Sequence, residues 1–334
     1  MEAVSSIPGN IRLMTFLSVS GWTVMSISLS NINKWIFQNH PFNYPIFLTS
    51  LHLLSTLIFC STFFKLTAMG RSIKENFDQN PISGQVSWNI LLLSFIFSIS
   101  IACGNIAVQF LYISFLKMIF AMTPLATLIL SRVFLKQSSE LVTYLSLIPI
   151  CVGCVMCTVG EINFNLIGFL MALVATLLRA VRSVLQGFLL KEERIDSFSL
   201  LYRMSVPSFI QLLAAAVIFE RPVFSDSYLL STPSLWMLIG LSCSCAVGYN
   251  IMAFLVTFYT SPITLQVLGN LSMVLTVGLS LLLFRNELSL ISILGIVSVT
   301  IGSWIYQKSD KVTQLLIYFQ ILPKRDQHVA NHHK

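Results

Sequence analysis

Ten apolar runs, each close to the length of a bilayer crossing, leave this chain few ways to fold. They cover about residues 13–37, 45–67, 88–112, 115–135, 140–159, 163–190, 198–219, 234–258, 261–284 and 288–307. A helix needs roughly 20 apolar residues to cross the hydrocarbon core. In lipid every backbone polar group must be satisfied internally, so runs of this length are helices. Only 10% of the residues are charged, against roughly 25% in ordinary soluble domains, and the mean hydropathy is +0.82. The sequence therefore predicts an all-α polytopic membrane protein. The first run is too long for the apolar core of a cleavable signal peptide, so no such signal is expected.

Lysine and arginine set the orientation. With the N-terminus in the cytosol, the cytosolic side holds Arg12, Lys65, Arg71, Lys74, Arg132, Lys136, Lys191, Arg194, Arg203, Lys308, Lys311, Lys324, Arg325 and Lys334. The other side holds Arg221 and Arg285, and Lys34, Lys117, Arg179 and Arg182 fall within helices. That asymmetry is the positive-inside pattern, and it supports an even helix count with both termini cytosolic. The net charge of +7 is thus an orientation signal, and nucleic acid is not an expected partner. The connections at 112–114 and 259–262 are so short that consecutive helices must run antiparallel.

A faint internal repeat divides the chain. The fourth run leads through Phe134-Leu135-Lys136 and Glu140-Leu141 into a fifth carrying Gly153; the ninth leads through Phe284-Arg285 and Glu287-Leu288 into a tenth carrying Gly302. Ten helices as five plus five make two inverted five-helix repeats, a plan that places the substrate near the midplane where the repeats meet. The expected organisation is a cytosolic N-terminus at 1–12, repeats at 13–159 and 160–307, and a cytosolic tail at 308–334.

Charges at membrane depth are rare and point to binding sites. Lys117 lies in such a run with Asn105 and Gln109 upstream and Pro124 downstream. It either faces a watery cavity or snorkels to the head groups. All thirteen acids lie in loops, helix ends or termini. Bases without acidic partners select an anionic ligand and argue against proton coupling through a buried carboxylate. The seven cysteines sit in apolar runs without the histidines or carboxylates of a metal site, and read as packing residues. No metal, cofactor or catalytic residue set is expected. Leu315–Leu322 in the tail suits the membrane surface, and His328, His332 and His333 beyond it are solvated.

A set of motifs sharpens this. Asn33-Lys34 with Phe42-Asn43-Tyr44-Pro45 through Thr49 and His52; Gly104-Asn105, Ile113-Ser114-Phe115 and Thr123-Pro124; Phe164 through Phe169 leading to Arg179-Ala180 and Arg182 through Gly187; and Ser261 through Asn270 with Phe284-Arg285-Asn286 span residues 33 to 286. Together they resemble the triose-phosphate/nucleotide-sugar translocators of the drug/metabolite transporter superfamily, solute carrier family 35, most like its subfamily E. The resemblance implies a ten-helix exchanger with a central polar cavity, carrying phosphorylated metabolites or nucleotide-linked sugars across Golgi, ER or other endomembranes. The lysine that plastid phosphate exchangers carry in the fourth helix matches Phe120, three residues after Lys117. The basic residues that relatives carry in the ninth helix fall at Ser272 and Met273. Those replacements keep open a family-derived scaffold that does not transport, or a carrier of an uncharged solute.

The candidate site follows. Lys117 and Arg182 are the expected charge partners of the substrate, and Asn105, Tyr249, Asn250, Gln266, Asn270 and Ser272 its expected polar contacts. Lys34, Arg179, Pro124 and Gly269 are gating or structural candidates. Guanidinium presents a fixed fork of donors that suits phosphate or carboxylate, but either arginine also serves as a fastener to helix carbonyls. Gln266, Asn270 and Ser272 make one side of the ninth run polar, for a sugar or base or for interhelical hydrogen bonds. Gly269-Asn270 marks close packing or a helix break; Pro124 and Pro262 mark kinks or helix starts. The expected partners are a small anionic metabolite, the lipid bilayer and, as a candidate, a second copy of the chain.

Overall fold

Helix starts in this protein are written in proline and in short polar side chains. A proline at the first helical position forfeits only an N–H that has no intrahelical partner anyway, and Pro45, Pro233 and Pro262 each open a helix. Elsewhere the opening N–H groups are capped. Asn165 accepts from Gly168 N at 3.1 Å, and Asp196 accepts from Phe198 N at 2.8 Å and Ser199 N at 3.2 Å.

The computed structural model describes residues 9–79, 83–110, 119–120, 122–134, 141–156, 165–284, 290–307, 309 and 312–314. In chain order the helices are α1 (Gly9–Asn39), α2 (Pro45–Leu66), α3 (Ala68–Gln79), α4 (Gly84–Phe110), α5 (Thr123–Phe134), α6 (Leu141–Met156), α7 (Leu166–Lys191) and α8 (Ser197–Phe219). A 3₁₀ turn at Arg221–Ser225 follows, then α9 (Ser227–Ser231), α10 (Pro233–Tyr259), α11 (Pro262–Phe284) and α12 (Leu290–Gln307). No strand occurs among the described residues. Among the described residues six helices are long and apolar enough to cross a membrane: α1, α2, α4, α7, α8 and α10. The start of the fourth predicted run, 115–118 with Lys117, lies outside the described residues.

Two expectations change. The stretch after α2, expected as a connection, is the helix α3: its polar residues Arg71 and Glu75 face out while Ile73 packs on the core. Nor does Gly269 mark a break or a close approach. α11 runs through it unbroken, and a Cβ added there would meet nothing within 4 Å. Pro124 is the second residue of α5 and Pro262 the first of α11, so both start helices and kink neither.

The helices pair across the chain: α1 with α10, α2 with α8, α4 with α7 and α6 with α12, while α5 packs chiefly on α7 and α11 chiefly on α1, the two also touching each other. Close approach is enforced by small residues. A Cβ on Gly302 of α12 would lie 2.6 Å from Ile150 Cγ1 and 2.9 Å from Ile150 N of α6, and one on Gly187 of α7 would collide with the ring of Pro262. The main apolar core forms where α2, α4, α7, α8 and α10 meet, around Leu53, Leu93, Leu189, Leu200, Leu212 and Phe254. Outward-facing positions such as Phe59, Leu170, Val174 and Ile210 are large, apolar and exposed, a surface suited to hydrocarbon. Many hydroxyls inside donate within their own helices, as in Thr56 to His52 O at 2.8 Å and Thr176 to Ala172 O at 2.8 Å.

Where α8 ends, Glu220 is drawn under α2. Its Oε1 accepts from Ile46 N at 2.9 Å and its Oε2 from Phe47 N at 2.8 Å. The residue is 8% exposed. Tyr44, which precedes α2, makes no cap with its own side chain, so a carboxylate 174 residues away satisfies the positive helix start. Tyr44 OH donates to Asp226 at 3.0 Å, and His40 Nδ1 lies 3.0 Å from Tyr228 OH. These contacts tie together the ends of α1, α2, α8 and α9.

Candidate binding site

Polar residues on the long helices fall in stripes. Arg179, Arg182, Ser183 and Gln186 of α7 recur at i, i+3, i+4 and i+7, one helix face. Ser26, Ser30 and Asn33 follow the same rule on α1, as do Thr49 and His52 on α2 and Gln266, Gly269 and Asn270 on α11. These stripes converge on one central cavity of about 570 Å³, within the usual size of small-molecule sites.

One wall is cationic. The Arg179 guanidinium carbon sits 3.7 Å from the centre of the Phe120 ring, and that of Arg182 sits 4.1 Å from the centre of the Phe97 ring. A guanidinium over an aromatic face gains about 0.5–2 kcal/mol and is held flat, its N–H edge left for other acceptors. A Cβ on Gly104 would lie 3.7 Å from Arg179 Nη2, so the side chain lies close along α4. Tyr249 stands within electrostatic reach of both arginines. Among the described residues no carboxylate meets either guanidinium. Two cations withdrawn from bulk water without a carboxylate beside them, among the described residues, have the chemistry that suits an anion.

The other wall is neutral. His52 Nε2 lies 2.8 Å from Ser242 Oγ, and Ser242 Oγ donates to Asn33 Oδ1 at 2.6 Å, linking α2, α10 and α1. Asn250 Nδ2 donates to Thr56 Oγ1 at 3.2 Å, Gln186 Nε2 to Thr257 Oγ1 at 3.2 Å, and Gln266 Nε2 to Ser183 Oγ. The Trp22 and Tyr249 rings lie 5.7 Å apart, centre to centre, beside the same space.

The expected residues distribute unevenly. Arg182, Arg179, Tyr249, Asn250, Gln266, Gly269 and Asn270 all line the cavity. Ser272 does not: it is buried behind the wall, where its hydroxyl donates to Ser26 Oγ at 2.9 Å and joins α11 to α1. Asn105 lies on α4 and Lys34 on α1, with side chains outside the described set, as is all of Lys117. Pro124 is buried at the start of α5, next to the lining residue Thr123. Phe120, which the resemblance sets against a lysine of plastid phosphate exchangers, is no blank in the wall: its ring carries Arg179. The sequence reading missed Asn33, His52, Phe97, Ser183 and Gln186 as lining residues. The stripe on α7 was the signal that could have found two of them.

Known proteins match this arrangement. The Triose-phosphate Transporter family matches residues 13–307. "Solute carrier family 35 member E4" of Rattus norvegicus is 35% identical over 292 residues, covering 87% of this chain and 79% of that protein. A "Probable sugar phosphate/phosphate translocator" of Arabidopsis thaliana is 34% identical over 307 residues, covering 90% of this chain and 97% of that one. A solved crystal structure superposes with a TM-score of 0.63 at 14% identity, over 90% of this chain and 96% of the other, a likeness of fold. A multi-pass helical membrane protein lined in this way, matched along nearly its whole length, belongs to the Triose-phosphate Transporter family, a family of transporters and not of enzymes.

Proposed function

We propose that the chain is a secondary-active antiporter that carries an anionic organic metabolite, of the sugar-phosphate or nucleotide-sugar kind, by alternating access at the central cavity. The observation that carries this reading is the Arg179–Arg182 pair, held on aromatic faces in the cavity with no carboxylate opposite among the described residues. Guanidinium forks bind phosphate oxygens in pairs. The relative named a probable sugar phosphate/phosphate translocator points to the same chemistry. In this reading Arg182 and Arg179 take the anion with Lys117, while Tyr249, Asn250, Gln266 and Asn270 face the remainder of the solute. Asn105 stays a candidate contact and Lys34 a candidate gate.

The pairing of helices supports ten spans built as two inverted repeats. Counted along the ten predicted spans, the pairs are first with eighth, second with seventh, third with sixth and fifth with tenth, while the fourth packs on the sixth, the ninth on the first, and the fourth and ninth touch. Exchanging every span for the one five places on returns the same set of pairs. That invariance is what a twofold axis between two five-helix units produces, and every pair joins one unit to the other. Rocking one unit on the other would expose the cavity to each side in turn. The lysine and arginine asymmetry supports cytosolic termini.

The test is exchange by the purified chain in liposomes, preloaded with sugar phosphates, nucleotide-sugars, nucleoside monophosphates or neutral sugars. Saturable trans-stimulated uptake of a phosphorylated solute is expected, lost in Arg182→Ala and in Lys117→Ala at equal protein insertion. Uptake of neutral sugars alone, or no uptake with no ligand-induced stabilisation, would overturn the proposal.

A further inference from the structure

His52 is not among the arginines and amides that the proposed function uses, yet it is 7% exposed and lines the same cavity. Its hydrogen bonding fixes what it can do. Ser242 has one hydroxyl hydrogen, and that hydrogen goes to Asn33 Oδ1 at 2.6 Å. The 2.8 Å contact between Ser242 Oγ and His52 Nε2 therefore needs the proton on Nε2. A neutral imidazole protonated at Nε2 has a bare lone pair at Nδ1. No donor of the protein addresses that nitrogen among the described residues. Asn33 and Ser242 thus work as a clamp that sets the tautomer and turns His52 into a pure acceptor at the cavity wall.

Its distance from the cations gives the acceptor a meaning. Ser242, which holds His52, and Tyr249, which faces both arginines, are seven residues apart on α10. At 1.5 Å per residue that is about 10 Å along the helix. On that spacing along α10, a bare phosphate held at Arg179 and Arg182 falls short of the level of His52, and a phosphorylated sugar has the added length to approach it. Few groups on such a solute, other than a hydroxyl, donate to a neutral nitrogen.

We propose that His52, held by Ser242 and Asn33, is the specificity-determining residue for the uncharged end of the substrate, accepting a hydrogen bond from a sugar hydroxyl through Nδ1 while the arginines hold the phosphate. The inference rests on the proposed function for the phosphate and adds the requirement for a hydroxyl. A site built around a buried acceptor rejects ligands that leave the acceptor unpaired.

Four probes test it on the purified full-length chain by direct binding. Glucose 6-phosphate is compared with cyclohexylmethyl phosphate, a six-membered ring of the same size without the hydroxyls or the ring oxygen (which donates nothing), and UDP-glucose with the cyclohexyl ester of UDP. The wild-type chain should prefer the hydroxylated member of at least one pair by roughly tenfold. His52→Leu should erase that preference by weakening the hydroxylated member alone. Ser242→Ala keeps the ring but frees its tautomer, and should lower the preference by a smaller factor, which keeps the proposal testable should His52→Leu fail to fold. Absence of any wild-type preference, a preference surviving His52→Leu, or an equal loss of both members would each overturn it. The arginine reading fails separately: Arg182→Ala would then leave all four affinities unchanged, whatever the preference ratio shows.

Discussion

Glu220 and the Arg179–Arg182 pair are both charged groups withdrawn from bulk water, one at the end of α8 and the other in the middle of α7, and the protein surrounds them in opposite ways. Glu220 is saturated. Each of its oxygens takes a backbone N–H from the first turn of α2, at 2.9 and 2.8 Å, so the carboxylate completes a helix cap and has little left to offer a ligand. The arginines rest on ring faces that hold their positions without consuming their N–H donors. Burial of a charge alone does not tell structure from function. What tells them apart is whether the protein has already used the group's hydrogen bonds.

The largest effects should follow from removing the unsatisfied charge. Arg182→Ala is expected to weaken binding of a phosphorylated solute by roughly a hundredfold or more, since truncating a buried charged contact costs about 2–5 kcal/mol. Its unfolding in detergent should be unchanged or slightly later, because a buried cation without a partner is itself a burden on the fold. Glu220→Ala should do the reverse. Two charge-assisted hydrogen bonds vanish and the start of α2 loses its cap, so stability should fall by about 2–4 kcal/mol, while exchange per folded molecule is retained. Both variants are read by the same pair of measurements, ligand affinity and denaturant unfolding. If Arg182→Ala unfolds the chain, or Glu220→Ala abolishes exchange by folded protein, the distinction fails.

A smaller effect sharpens it. Phe97→Leu keeps an apolar side chain under Arg182 but removes the aromatic face. The loss of about 0.5–2 kcal/mol of cation–π attraction should lower folding stability by up to that amount, and the less firmly held guanidinium should bind an anion several-fold more weakly. Phe120→Leu should act alike through Arg179.

The six long apolar helices described were legible because charge is nearly absent from them, and several of their starts because proline or a polar cap stands there. The helix α3 was not, since its short apolar component, Ile73 among Arg71 and Glu75, has no bilayer-length run to announce it. Arg182 could be singled out as a cation in an apolar segment. The cavity position of Arg179 follows only from reading Arg179, Arg182, Ser183 and Gln186 as one face. His52 and Glu220 were out of reach for a different reason. Their partners, Ser242 and the N–H groups of Ile46 and Phe47, lie 190, 174 and 173 residues away. A serine or a backbone amide carries no sequence signature of such a contact. Ser272 failed in the opposite direction, its polar side chain joining two helices instead of facing the cavity.

The smallest expected effect concerns the proton on Glu220. Burial raises its carboxyl above the ordinary glutamate value of 4.5, and the hydrogen bonds from Ile46 and Phe47 pull the other way without cancelling it. The folded chain therefore holds this proton more tightly than the unfolded chain does. Where the folded state binds more protons, stability falls as pH rises. The contribution is fully present below the ordinary glutamate value, declines as pH climbs through the raised value, and is flat above it. Neighbouring groups titrate as well, Asp226 beside Tyr44 among them, so the total slope is shared. Subtracting the unfolding free energy of Glu220→Gln from that of the wild-type chain, pH by pH, isolates the one carboxyl. The difference should shrink steadily as pH rises from about 4 towards neutrality. A difference that grows with pH would mean that the two backbone N–H groups outweigh burial, and that Glu220 is held as a fully stabilised anion. In that case its contrast with the arginines would be sharper still, a charge the fold actively requires set against charges it merely keeps available.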